Sequence, residues 1–153
     1  MDSWDKKTIR EQLDKRLGSL KTFSASAMPK QGWIKTIREA LGLSSAQMGK
    51  KVGIDQSRIS RLESAEKEGN IRLSSLQKIA AGLNMKFVYG FVPEESLEQM
   101  VRDQATKIAL KRLAQLEHTM KLEKQGLSPE EQKKALTGMI EKILIDPPKD
   151  FWG

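Results

Sequence analysis

The stretch Ser44-Ser-Ala-Gln-Met-Gly-Lys-Lys-Val-Gly-Ile-Asp-Gln-Ser-Arg-Ile-Ser-Arg-Leu62 decides how the rest of the 153-residue chain is read. It predicts two short helices around a tight turn. Ser44 has Gln47 three residues on, the spacing of a capping box, so the first helix opens there. Leu43 and Met48 occupy the two places of a hydrophobic staple around that cap. Gly53 stands where this helix must stop, because a left-handed residue costs least when it is glycine. Asp55 caps the second helix, and Ile54 with Ile59 repeats the staple. Gly49 falls where the two helices come closest and a side chain would hold them apart. Helical spacing turns Met48, Val52, Ile59 and Leu62 inward, and leaves Gln56, Ser57, Arg58, Ser60 and Arg61 pointing out.

A second helix with that outer face suits a DNA major groove, where an amide pairs bidentately with adenine and an arginine with guanine. The pattern is that of a helix-turn-helix. A plain helical hairpin with a solvated polar face would not require two glycines, two caps and four core positions in one register. On either side, a helix is expected at Gly32–Leu41, with Trp33, Ile37 and Leu41 as its buried stripe. A loop is expected at Ser64–Arg72. A further helix at Leu73–Leu83 would open on a Ser74–Gln77 capping box and carry Leu76, Ile79, Ala80 and Leu83.

Residues 32–83 resemble the five-helix DNA-binding domain of phage repressors and their XRE-class relatives. The resemblance implies that Gln56, Ser57 and Arg61 face base edges, with Arg58 and Ser60 beside them. It also implies that Ser45, Gln47 and Lys50 meet phosphate. Some relatives carry glutamine at the place of Ser45, and serine is shorter for that clamp.

The chain carries a net charge of +7 and a pI of about 9.6, which points to an acidic partner. Lys and Arg outnumber Asp and Glu 17 to 9 over residues 1–93, against 10 to 11 over residues 94–153. The excess therefore lies with the helix-turn-helix, where phosphates would be met. With no cysteine, the chain suits a reducing compartment. No apolar run reaches the length of a signal-peptide core or a membrane span, so a cytoplasmic protein with no membrane contact is expected. Catalysis lacks its materials: His118 is the only histidine, with no metal-spacing partner and no nucleophile in view. No enzyme activity, cofactor or metal is expected.

Ile9, Leu13, Leu17 and Leu20 recur at three and four, so Thr8–Lys21 predicts an amphipathic helix. Its Lys6, Lys7, Arg10, Lys15 and Arg16 either touch phosphate or keep the helix soluble. Thr22–Gln31, with Ser24, Ser26 and Pro29, reads as a linker. After residue 84 the period changes: Met85, Phe87, Tyr89 and Phe91 alternate with Lys86, Val88, Gly90 and Val92, which predicts a strand. One strand leaves its backbone unsatisfied, so it either pairs with a second copy or packs on helices. The pairing is preferred, since a two-fold dimer also sets two reading helices on two half-sites.

A long helix is expected to start at Pro93 with Glu94 and Glu95 in its first turn. Its stripe is Leu97, Val101, Ala105, Ile108, Leu116 and Met120, widened by Ala109 and Leu113, and Gly126 ends it. Ser128-Pro-Glu-Glu131 opens the last helix with a capping box and a proline at its first position. That helix carries Ala135, Met139, Ile140, Ile143 and Leu144, and Asp146-Pro-Pro148 stops it. Phe151-Trp152 would pack onto its own domain or anchor a partner. The expectation is a mainly α chain: a phage-repressor-like helix-turn-helix domain, one short strand, and a C-terminal helical extension. The parts are 1–31, helix and linker; 32–84, DNA-binding domain; 85–93, strand-like connector; and 94–153, a dimerisation or partner-binding region.

Seen whole, the chain resembles the mobile mystery protein A family. The residues that carry this are Gly32-Trp-Ile-Lys-Thr-Ile-Arg-Glu-Ala-Leu41, the motif ending in Leu62-Glu63, and Phe87-Val-Tyr-Gly-Phe-Val-Pro93. His118-Thr-Met-Lys-Leu-Glu-Lys-Gln125 and Phe151-Trp152 fit as well. The resemblance implies a helix-turn-helix protein encoded beside a Fic-domain partner, in an arrangement like a toxin–antitoxin pair. Ser64-Ala-Glu-Lys-Glu68-Gly69 also resembles the short motif that inhibits Fic-domain AMP transferases, and equally reads as a helix end and turn. The function expected is a dimeric, sequence-specific repressor of its own operon that binds a double-stranded DNA operator and partners a Fic-domain protein. The alternative is a protein-binding antitoxin that inhibits a Fic AMP transferase directly, with DNA binding secondary.

Overall fold

The computed structural model describes residues 1–24, 28–122 and 128–153, and among these the chain is helical. The helices are α1 (Ser3–Ser24), α2 (Trp33–Ala40), α3 (Ser45–Val52), α4 (Gln56–Lys67), α5 (Leu73–Gly82), α6 (Leu97–Leu122) and α7 (Pro129–Ile145). They fall into two compact units, one of residues 21–91 and one of residues 1–20 together with 92–153.

In the first unit, α2 to α5 close around Ile34, Met48, Val52, Ile54, Ile59, Ile79 and Leu83. Ile37, Leu43, Leu62, Ile71 and Leu76 pack against that centre. The stripe expected on α2 is corrected. Trp33 and Leu41 are exposed; Ile37 packs inward as expected, and Ile34 is the buried residue beside it. Positions 34, 37 and 38 share one face, and Trp33 lies roughly 100° round from Ile34. Its ring stacks on Phe23, with centroids 6.3 Å apart. The loop expected from Ser64 begins later, because α4 continues to Lys67. Nothing between Ser64 and Lys67 breaks a helix, and the first residue that does is Gly69, at φ 73°. The expected Ser74–Gln77 capping box is absent: α5 starts at Leu73, and its N-cap is Arg72, two residues before Ser74, with no side-chain cap.

The strand expected over residues 85–93 is also corrected, because that segment has no regular secondary structure. Among the described residues, the backbone of 86–93 makes no hydrogen bond. A strand exists only within a ladder, and a single copy provides no second strand here.

In the second unit, α6 and α7 pack through Ala105, Ala109, Ile143 and Phe151. Leu113 is buried as well, while Leu116, expected in the same stripe, is exposed. The small Ala105 and Ala109 leave room for Ile143 and Phe151 against the helix. The start of α6 lies four residues beyond the expected Pro93. The Ser96 hydroxyl accepts the Gln99 N–H (3.0 Å), and the Asp14 carboxylate accepts those of Leu97 (2.7 Å) and Glu98 (3.3 Å). These bonds satisfy amide groups that a helix end leaves orphaned, which sets the boundary there. The expected stop at Gly126 and the side chain of Met120 lie outside the described residues.

At the start of α7, Ser128 and Glu131 form the expected capping box, with Pro129 at the first position. Phe151 is buried and its carbonyl accepts from Gln104 Nε2 at 2.6 Å, whereas Trp152 meets Phe151 edge-on and stays exposed. Helix α1 is longer than expected at both ends. Its Leu17 and Leu20 are half-buried, and Ile9 and Leu13 are exposed. Arg10 pairs with Glu98 at 2.7 Å, and the Ser3 hydroxyl donates to the Leu144 carbonyl at 2.8 Å.

Candidate nucleic-acid interface

The turn between α3 and α4 is built by local bonds. Ser44 accepts the Gln47 N–H (3.1 Å), and Gln47 Oε1 accepts the Ser44 N–H (2.8 Å). At the other end Gly53 takes the left-handed conformation, φ 77°, and closes α3. The Ile54 N–H then donates to the Gly49 carbonyl at 2.8 Å, and buried Ile54 pins the turn to the core. Gly49 is needed for closeness: a Cβ there would stand 2.4 Å from the Ile54 carbonyl oxygen. The close neighbour is thus the turn's backbone rather than the facing helix.

Asp55 caps α4. Its carboxylate accepts the Ser57 N–H (3.0 Å) and the Ser57 hydroxyl. Those two bonds, the hydroxyl first, hold the Asp55 carboxyl below its ordinary value of 3.8. A carboxylate lowered by folding stabilises at neutral pH, and that contribution is lost as pH falls below about 4 toward the folded value. Asp55→Asn is therefore expected to flatten the acid limb of stability. Urea midpoints measured from pH 2 to 6 check this, and curves of equal slope for both proteins would contradict it.

Gln56, Ser57, Arg58, Ser60 and Arg61 are all exposed on α4, as read from the sequence. Among the described residues, the side chains of Gln56, Arg58 and Ser60 make no hydrogen bond, so their donors and acceptors are open to a ligand. Arg61 is folded back: Nε donates to the Ser57 carbonyl (3.4 Å) and Nη2 to the Ser57 hydroxyl (3.3 Å). Asp55, Ser57 and Arg61 thus form a chain along the outer face, a link that residue spacing alone did not single out. On α3, Ser45 is half-buried, and Gln47 and Lys50 are exposed. Gln47 Oε1 is committed to the cap, which leaves its amide N–H₂ for another acceptor. Ser64 and Glu68 lie one turn apart at the end of α4, both exposed, with Gly69 following in the left-handed region.

Two polar contacts behind this face fix the angle of α4, and neither was read from the sequence. Arg38 on α2 pairs with Glu63 on α4, Nε to Oε1 at 2.5 Å, and also donates to the Leu43 carbonyl at 3.0 Å. The hydrogen bond to Glu63 is the main reason that the Arg38 guanidinium is held even more firmly protonated than usual. Glu66 on α4 accepts the N–H groups of Trp33 and Ile34, both at 2.8 Å, and so caps the start of α2. A carboxylate at the inner face of one helix, beside an arginine at the corresponding face of another, is the signal that spacing alone does not rank.

Residues 34–89 match the family model described as helix-turn-helix. They form a helix-turn-helix domain of the XRE type. No curated protein and no solved structure matches the chain. The domain spans the core that carries α3 and α4 and runs on into the segment after α5. It is a DNA-binding module, and its presence supports a DNA-binding regulator of XRE type. No helix among the described residues is long and apolar enough to cross a membrane, and no cluster of three or more His, Cys, Asp or Glu among them is placed to hold a metal.

Arg61 is one of two long donors on the outer face of α4, beside Arg58, and Arg61→Ala is expected to cost about 1–3 kcal/mol of specific DNA affinity and to relax preference at one base position. Binding selection from a randomised duplex pool would read both effects. An unchanged preference would remove Arg61 from the base-reading set.

Proposed function

We propose that the chain is a sequence-specific transcriptional regulator, a dimeric repressor of its own operon acting in the cytoplasm as the antitoxin-like partner of a Fic-domain protein. The observation that carries the DNA reading is the outer face of α4. Five polar or basic side chains stand exposed there, on a helix fixed by Asp55, Gly49 and the Arg38–Glu63 pair. Gln56, Ser57 and Arg61 read base edges, Arg58 and Ser60 flank them, and Ser45, Gln47 and Lys50 meet phosphate. Among the described residues, the N–H groups of Ser45 and Ala46, in the first turn of α3, make no bond and suit a phosphate oxygen.

The test is a gel-shift titration against DNA from immediately upstream of the gene, with salt varied and a scrambled duplex as control. Binding with Kd near 10 nM or tighter at physiological salt, lost on the scrambled duplex, is the expected result. Sequence-blind binding that only follows salt would mean a generic basic face.

A second reading, direct inhibition of a Fic AMP transferase, is favoured by one observation. The Glu68 side chain is exposed and makes no hydrogen bond or ion pair among the described residues, one turn from exposed Ser64. In this reading Ser64, Glu68 and Gly69 enter the partner's nucleotide site. Glu68→Gly, co-expressed with the neighbouring Fic protein, should then release AMP transfer. Transfer that stays blocked would exclude this surface.

A further inference from the structure

The segment between α5 and α6 carries a run of uncovered apolar side chains. Val88 is 67% exposed, Tyr89 66% and Phe91 85%, with Met85 and Val92 partly uncovered beside them. Phe87 and Tyr89 stack at 5.9 Å, so these two odd-numbered side chains lie together. From residue 86 to residue 93 the backbone is unbonded among the described residues, and only Pro93 lacks an N–H to offer. The sequence there alternates with a period of two and contains a single charge, Lys86. This is a strand without a ladder.

We infer that residues 86–92 pair antiparallel with the same residues of a second copy, with Tyr89 on the two-fold axis and Phe87 opposite the partner copy's Phe91. This deepens the dimeric reading given above and rests on it. A two-fold axis can only pair a segment with itself antiparallel. The stretch with a free N–H at every residue runs from 86 to 92, and its midpoint is Tyr89. In that register each odd residue meets an odd residue, so the aromatic rows of both copies share one face. A slip by one residue would scatter them over two faces.

The charges are compatible. Lys86 sits opposite Val92, and the two lysines lie about 20 Å apart along the ribbon, beyond the reach of strong repulsion in salt. Complete covering of the exposed side chains would remove on the order of 500 Å² per copy, a ceiling because a two-stranded ribbon leaves its faces open. The ceiling of about 1,000 Å² in total stands at the lower bound for a specific interface.

The test uses the full chain, which has no native cysteine. Sedimentation should show a dimer at micromolar concentration. Under mild oxidation without DNA, Tyr89→Cys should cross-link to itself, since facing Cα atoms in a ladder stand about 5 Å apart. Lys86→Cys should not cross-link. Val88→Pro removes one ladder N–H from a segment that makes no bond within its own chain. It should give a monomer with unchanged helical circular dichroism and DNA binding weaker by about 100-fold, because the second half-site is no longer tethered.

A chain that is monomeric throughout, or a dimer that Val88→Pro leaves intact, would overturn the inference. A monomer that still binds the operator specifically would leave the DNA reading standing and remove the interface. A Tyr89→Cys cross-link in a protein blind to DNA sequence would do the reverse.

Discussion

Glu63→Ala is expected to destabilise the helix-turn-helix unit by about 3 kcal/mol, with a fall in melting temperature of more than about 10 °C. The Arg38 and Glu63 side chains are only 14% and 11% exposed, so neither charge is freely hydrated. Among the described residues, removing the carboxylate leaves the guanidinium with the Leu43 carbonyl as its remaining acceptor and no counter-charge in contact. The figure is the lower end of the range for breaking a buried pair, since about a tenth of each side chain still meets water. Replacing both partners, Arg38→Met with Glu63→Met, should cost less than Glu63→Ala alone, because no unpaired charge remains. Thermal and urea unfolding of the single and double variants check this. A double variant worse than the single would show that the pair contributes net stability, not mainly mutual neutralisation.

Gly49→Ala has the other large expected effect. The new methyl carbon would stand 2.4 Å from the Ile54 carbonyl oxygen in the turn and 3.4 Å from the backbone nitrogen of Gln56, the first residue of α4. No side-chain rotation relieves that contact, so α3 and α4 must part. A loss of about 3 kcal/mol is expected, at the upper end for overpacking, together with loss of specific DNA binding. Gly53→Ala makes a useful comparison. Nothing lies within 4 Å of its added carbon, and only the positive φ opposes it. That costs about 1–2 kcal/mol and leaves the helix crossing intact. If both variants lost the same stability and kept DNA binding alike, crowding at Gly49 would not be what sets the turn.

The helix-turn-helix was legible in the sequence because its determinants are local. Ser44 with Gln47, Asp55 with Ser57, and Gly53 at φ 77° all act within three residues, where spacing is a direct guide. The exposed row on α4 was legible for the same reason, since a helix of known register leaves one face outside. Trp33 misled because a large apolar residue near a helix start attracts the inward assignment, while the true inward pair is Ile34 and Ile37. Glu66 and Arg38 were missed because their partners lie 25 to 33 residues away, and no periodicity marks a bond that long. Asp14 escaped notice likewise, since it caps a helix 83 residues further on. Residues 86–92 were read as a strand from their period of two, but a strand needs a ladder, and the described residues of one copy provide none.

The unit formed by α6 and α7 has a discontinuous polypeptide: its first piece is residues 1–20 and its second is residues 92–153. During synthesis, every residue of the helix-turn-helix unit has been made once Phe91 is joined. The amino-terminal piece must wait for about sixty more residues, roughly 3–12 s at ordinary elongation rates. When Phe91 is joined, Arg10 lacks Glu98 and Asp14 has no helix start to cap; those partners follow within seven residues, whereas the Leu144 carbonyl that Ser3 meets comes 53 residues later. A nascent chain halted near Val92 therefore presents a finished DNA-reading half and a leading helix still waiting for the residues that cover it.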